Sequence, residues 1–177
     1  MSRSPEHLGA RARRVVSAVD GDGVSTIVTD EISPVRMALP AFTLNDVWRV
    51  SSVPTSFEDD GLGDEFVFNP PPGGVLVRLV TFPPDGDVGE SAYDDSINQL
   101  IGSEFNAGHE QATGMHGMAT VDVDTVIDGE IYCVYESGEE TLLRAGDTVI
   151  NRGTNHAWST RSGKPVTVVA TMVTVDR

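Results

Sequence analysis

One cysteine in 177 residues leaves no possibility of an internal disulfide, so nothing in this fold depends on oxidative stapling. Cys133 sits in the apolar run Ile131-Tyr132-Cys133-Val134-Tyr135, where a small thiol fills core space. Positive charge is also scarce. Twelve basic residues stand against 27 acidic ones, and the formal charge of −15 repels phosphate backbones and anionic bilayers. Nucleic acid and membrane are therefore poor partners. No apolar stretch approaches the ~20 residues needed to cross a bilayer. The basic opening MSRSPEHLGARARR runs straight into Val15-Val16, without the apolar segment of ~7–15 residues that a secretory leader carries. The expectation is a soluble, cytoplasmic globular protein.

What the chain has in plenty is short β-branched runs separated by glycine turns. Its length suits one domain, organised as a flexible tail over 1–14, N-terminal strands, loop and helix over 15–113, and a core of motifs over 114–177. VVSAVD and VSTIVTD flank Gly21-Asp22-Gly23 and predict a hairpin over 15–29. FTLNDVWRV at 42–50 and GVLVRLVTF at 74–82 read as further strands. The exception is 89–106, where Tyr93, Ile97, Leu100, Ile101 and Phe105 recur at helical spacing. That stripe covers a core or closes a pocket as a lid. From Gly114 onward ATVDVDTVI, EIYCVYE, ETLLR, DTVIN, NHAWST and PVTVVATMVTV alternate with turn signals, the spacing of an antiparallel sandwich or barrel.

Within this second half, His116 and Asp122 precede the closing Gly129, and Gly146-Asp147-Thr148-Val149-Ile150-Asn151-Arg152-Gly153 ends at His156. The pattern resembles the two motifs of the cupin superfamily over about 114–172. The first motif of that family has two histidines one residue apart, an acidic residue and a glycine; here His116 keeps the first place, Met118 takes the second, Asp122 the acidic place and Gly129 the last. In the second motif Asn151-Arg152-Gly153 replaces a Pro-x-Gly turn, and His156 keeps the histidine. The resemblance implies an all-β double-stranded β-helix, or jelly-roll, barrel, with one added helix and an N-terminal strand extension. It also implies a small-molecule pocket with His116, Asp122 and His156 as the catalytic and metal-holding set.

On one straight strand, six steps of ~3.3 Å would hold His116 and Asp122 about 20 Å apart. The chain must turn between them, and Gly117 permits an early bend. Two imidazoles and a carboxylate would then suit one divalent metal, iron, zinc, nickel or manganese; the alternative is the same cluster as an unmetallated polar pocket. Met118 is a soft ligand or adaptable packing. His109, in the loop NAGHEQATG, is a fourth ligand if that loop folds inward, and an exposed residue otherwise. Arg78, alone among the aliphatics of VLVRLV, anchors an anionic substrate or pairs with a carboxylate. Tyr132 and Trp158 join Arg78 and Met118 as candidate substrate-binding residues, with Trp48 and Tyr135 as further aromatics that line a pocket or fill a core.

Two functions fit these residues. The first is an enzyme of small-molecule metabolism, a lyase, dehydratase, isomerase or oxygenase, with or without metal. The second is a non-catalytic binding cupin without metal, in which the same side chains only hydrogen-bond a ligand. Val121, Val123 and Ile127 give their strand an apolar face opposite Asp122, which needs cover. With the extra N-terminal strands, this leads to the expectation of a homodimer.

Overall fold

The computed structural model describes residues 5–89, 91–101 and 114–175. Alternation dictates the architecture. In β6 (Thr120–Asp128) Thr120, Asp122, Asp124 and Val126 are buried, while Val121, Val123 and Thr125 are half-buried on the other face. The same two-residue period turns Ile131 and Cys133 of β7 (Glu130–Tyr135) into the core. One six-stranded antiparallel sheet takes β3 (Arg36–Ala38), β4 (Thr43–Val50), β5 (Val75–Phe82), β11 (Val166–Thr174), β6 and β9 (Thr148–Arg152), in that spatial order. A three-stranded sheet, ordered β10 (His156–Ser159), β7, β8 (Glu140–Arg144), faces it. Phe42, Leu44, Phe82, Val126, Ile131, Cys133, Leu143, Val166 and Val168 form the buried core between the sheets. This is an all-β jelly-roll barrel with one α-helix among the described residues, α1 (Ala92–Ile101). The helix begins at Ala92 rather than Gly89 and runs to Ile101; the rest of the expected 89–106 span, with Phe105, lies outside the described residues.

The N-terminal hairpin, β1 (Arg13–Val19) and β2 (Ser25–Ile32), forms a separate two-stranded sheet with register Arg13 to Ile32. Arg14 ties it to the barrel. Its guanidinium donates to Glu31, to both oxygens of Asp60 and to the carbonyl of Val47, the residue skipped by a bulge between Asp46 and Trp48. The rest of the hairpin stands clear, with Val15, Val19, Ile27 and Val28 about half or more exposed. Upstream, where the sequence shows only an aperiodic polar stretch, residues 5–12 pack onto the barrel. His7 is buried beneath a single helical turn at Glu6–Gly9 and its ring contacts the Leu39 carbonyl at 3.2 Å. No helix among the described residues is long and apolar enough to cross a membrane.

Candidate active site

The inner face of the six-stranded sheet changes character along the strands. The pairing register sets Asp124 opposite Ala170, Ala170 opposite Arg78, and Arg78 opposite Asp46. Two residues along, the inward row is Val126, Val168, Val80 and Leu44, all apolar. A cavity with about 560 Å³ of space free of protein atoms, part of it continuous with solvent, opens over both rows. Asp122, Asp124, His116, Arg78 and Met118 line its polar end, and Phe42, Phe82, Ile97, Leu100 and Trp158 contribute apolar wall. Phe82 packs edge-on against Phe42 at 6.3 Å and tilted against Trp158 at 6.0 Å. The helix thus does supply cavity wall, through Ile97 and Leu100.

His116 and His156 meet through backbone and side chain together. Each backbone N–H donates to the other's carbonyl at 2.9 Å, and the ring centroids lie 4.8 Å apart. Gly117 permits this, because a Cβ there would collide with the Asn155 side chain. Each ring donates from Nδ1 to a local carbonyl, His116 to Gly114 at 2.8 Å and His156 to Thr154 at 3.0 Å. A carbonyl can only accept, so the proton sits on Nδ1 and each Nε2 carries a lone pair. Burial holds both rings neutral. It lowers His116 against the opposing Gly114 carbonyl, and it takes His156 down to about 3, helped by the neighbouring His116.

The carboxylates move the other way. Burial raises Asp122, opposed by nearby Thr120 and by the charge of Arg78. Thr120 is close without closing a hydrogen bond, since both its hydroxyl and Asp122 Oδ1 are buried with no hydrogen-bond partner among the described residues. Burial and then the charge of Asp122 push Asp124 up to about 7, against a 3.0 Å hydrogen bond donated by Asn151 Nδ2. Asn151 is oriented in turn by Tyr135, whose hydroxyl donates to its Oδ1 at 3.1 Å across the two sheets. Asp124 is the residue that the sequence reading passed over. The signal was present: Asp122-Val123-Asp124 on one strand puts both carboxylates on the same face.

Of the residues expected at the site, His116 and Asp122 face the cavity, and His156 packs behind His116 against Trp158, 5.6 Å away. Met118 and Trp158 line the cavity, and Met118 also packs with Leu76, Ala170 and Met172. Tyr132 does not reach it. It lies on the outward face of β7 beneath the guanidinium of Arg161, 4.0 Å from the ring centroid. Tyr135, which donates to Asn151, and Trp48 on β4 are both half-buried. Arg78 lines the cavity but is engaged by Asp46, its Nε and Nη2 donating to the two carboxylate oxygens at 2.9 and 3.2 Å. His109 lies outside the described residues.

His116 and His156 offer two neutral nitrogens whose Nδ1–H groups are anchored, as ligating imidazoles require. Among the described residues, however, no three His, Cys, Asp or Glu side chains come together in a set that could hold an ion. The ligand set for a divalent metal is incomplete there.

No family profile matches the chain. It is 33% identical over 101 residues to a phomopsin biosynthesis cluster protein of Diaporthe leptostromiformis, covering 55% of this chain and 40% of that one. The alignment therefore spans less than half of that relative's length. A cupin-domain-containing oxidoreductase of Neurospora crassa is 27% identical over 169 residues, 92% of this chain and 73% of that one. Among solved structures, a cupin conserved-barrel protein of Salinispora arenicola superposes with a TM-score of 0.39 at 15% identity, over 73% of this chain and 75% of that one. The jelly-roll strand order, the paired His116 and His156 motifs and the similarity to a cupin-domain protein along nearly the whole chain support the cupin superfamily for this protein.

Proposed function

We propose that the protein is a cupin enzyme that moves a proton on a small organic substrate, with Asp124 as the acid–base group. One observation carries this reading: a buried carboxyl, brought to about 7 by burial and by Asp122, lines the wall of an apolar cavity. At neutral pH such a group is present in both protonation states, so it accepts a proton in one step and returns it in the next. A general acid–base pair split by environment serves isomerisation, dehydration and lyase chemistry alike. In this scheme Asp122 raises its neighbour and orients the substrate. The Nε2 of His116 accepts a hydrogen bond from the ligand, and Asn151, held by Tyr135, fixes the Asp124 rotamer. The relatives support the coarser part of this reading, an enzyme of small-molecule metabolism, since they include a fungal biosynthesis cluster protein and a cupin-domain oxidoreductase.

The test is solvent-deuterium exchange at the carbon beside the carbonyl of phenylacetone, followed by NMR. The wild-type protein is expected to accelerate exchange, and Asp124→Asn to lower that acceleration by about 10²–10⁴. An uncatalysed wild-type rate, or a variant as fast as wild type, would overturn the reading.

A further inference from the structure

Arg78 is the sole cation among the described residues lining the cavity, and four of its five N–H groups are committed elsewhere. Beyond the two bonds to Asp46, its Nη1 donates to the Phe68 carbonyl at 3.2 Å and its Nη2 to the Val67 carbonyl at 2.7 Å. Phe66 and Phe68 approach the guanidinium carbon, at 4.9 and 6.0 Å from their ring centroids. Arg78 is therefore ion-paired with Asp46, and its charge also bears on Asp122 within the wall. The Nδ1–H groups of both histidines are given to local carbonyls, and His156 does not line the cavity, so the acidic groups left facing a ligand are the carboxyls of Asp122 and Asp124. The sequence of 102–113 contains no lysine or arginine to alter that balance.

Two further observations say what such a cavity accepts. Asp122 is 8% exposed, lines the cavity, and holds Oδ1 without a hydrogen-bond partner among the described residues. A buried acceptor left open in this way costs free energy until a donor reaches it. At the other end, the rings of Phe42, Phe82 and Trp158 continue the apolar row of Leu44 and Val80. Aromatic edges and faces at these spacings receive a further ring with favourable geometry.

We infer that the cavity selects an uncharged aryl molecule that donates a hydroxyl hydrogen to Asp122, and that it rejects carboxylates and other anions of the same size. This rests on the catalytic reading above for the identity of the site, and it adds the ligand class. A carboxylate brought to this cavity finds no free cation among the described residues and meets like charge, which in a desolvated site is strongly disfavoured.

The experiment is titration calorimetry of the full chain, in mildly alkaline buffer, with 2-phenylethanol and with phenylacetate, which share a ring and differ in a donor against an anion. The alcohol is expected to bind at least about tenfold more tightly. Asp122→Asn removes the charge and supplies an amide donor, so the alcohol should weaken, phenylacetate should strengthen, and the ratio should collapse. Circular dichroism of the variant confirms that the barrel is retained, and Asp122→Ser provides a second, uncharged variant should it not be. Equal affinities in the wild type, including no detectable binding of either probe, or tighter phenylacetate, would overturn the inference. So would an unchanged ratio in a folded Asp122 variant. Binding is read without turnover, so failure here leaves the deuterium-exchange result standing, and failure of exchange leaves this one standing.

Discussion

Replacing Asp46 with leucine should be among the most damaging single changes in the barrel wall. Asp46 is fully buried and Arg78 is 3% exposed, so neither charge has water to fall back on. Burial pushes Asp46 up and Arg78 down, while each holds the other's charged form in place. A guanidinium cannot shed its proton, so Asp46→Leu strands a buried cation on two backbone carbonyls. Breaking a buried pair from one side costs about 3–5 kcal/mol. For a domain of this size each kcal/mol moves Tm by ~2–4 °C, so the midpoint should fall by roughly 6–20 °C. Arg78→Met should be milder, because the abandoned carboxyl can take up a proton. The double variant should recover much of the loss, since an apolar pair of similar volume replaces a desolvated ionic one. Calorimetric melts and urea titrations of the four proteins measure this cycle. Singles within about 1 kcal/mol of wild type, or a double variant worse than either single, would refute the reasoning.

Asp124 should give stability a pH slope of known sign. Its folded value of about 7 lies above the ordinary carboxylate value of ~3.9, so the folded state keeps a proton that the unfolded chain has lost; its contribution is full below the unfolded value and disappears as pH rises towards 7. Asp124→Asn should therefore gain on wild type in Tm across that window, while the opposite slope from His156, lowered to about 3, cancels in the comparison; a constant difference would contradict this. The chain is also expected to be a homodimer, because Val15, Val19, Ile27 and Val28 of the hairpin and Ile127 and Ile150 of the large sheet are exposed. Light scattering at near-physiological salt should give twice the chain mass, and Val19→Asp with Ile27→Lys should return a monomer; a monomeric wild type would sink the expectation.

The strands were legible because period-two patterning and glycine turns are local properties. The segments TVDVDTVID, EIYCVY and ETLLR stand in the structure nearly as their turn signals bracket them. Charge partners were less legible. Arg78 reads as either an anion anchor or an ion-pair member, and only the β4–β5 register, which places Asp46 beside it 32 residues away, decides for the pair. Tyr132 and Tyr135 look alike in sequence, yet the pleat turns the first outward under Arg161 and lets the second reach Asn151. His7 lies in an aperiodic segment, and its burial depends on Leu39, which no local pattern links to it.

The position of β11 has a consequence for how the molecule comes into being. Val166–Thr174 is the latest strand along the described chain, yet it lies inside the large sheet, bonded to β5 on one side and β6 on the other. During synthesis, the growing polypeptide must carry β5 with one edge open through some ninety residues of translation, from Val75 to Val166. Until that strand arrives, the row formed by Leu76, Arg78 and Val80 has no neighbour on that edge, and the wall bearing Asp124 is not joined to the wall bearing Arg78. Nascent chains are thus exposed to edge-to-edge association throughout that stretch of synthesis. Assembly of the cavity is then a late, all-at-once event, slow in the manner of folds dominated by distant pairings.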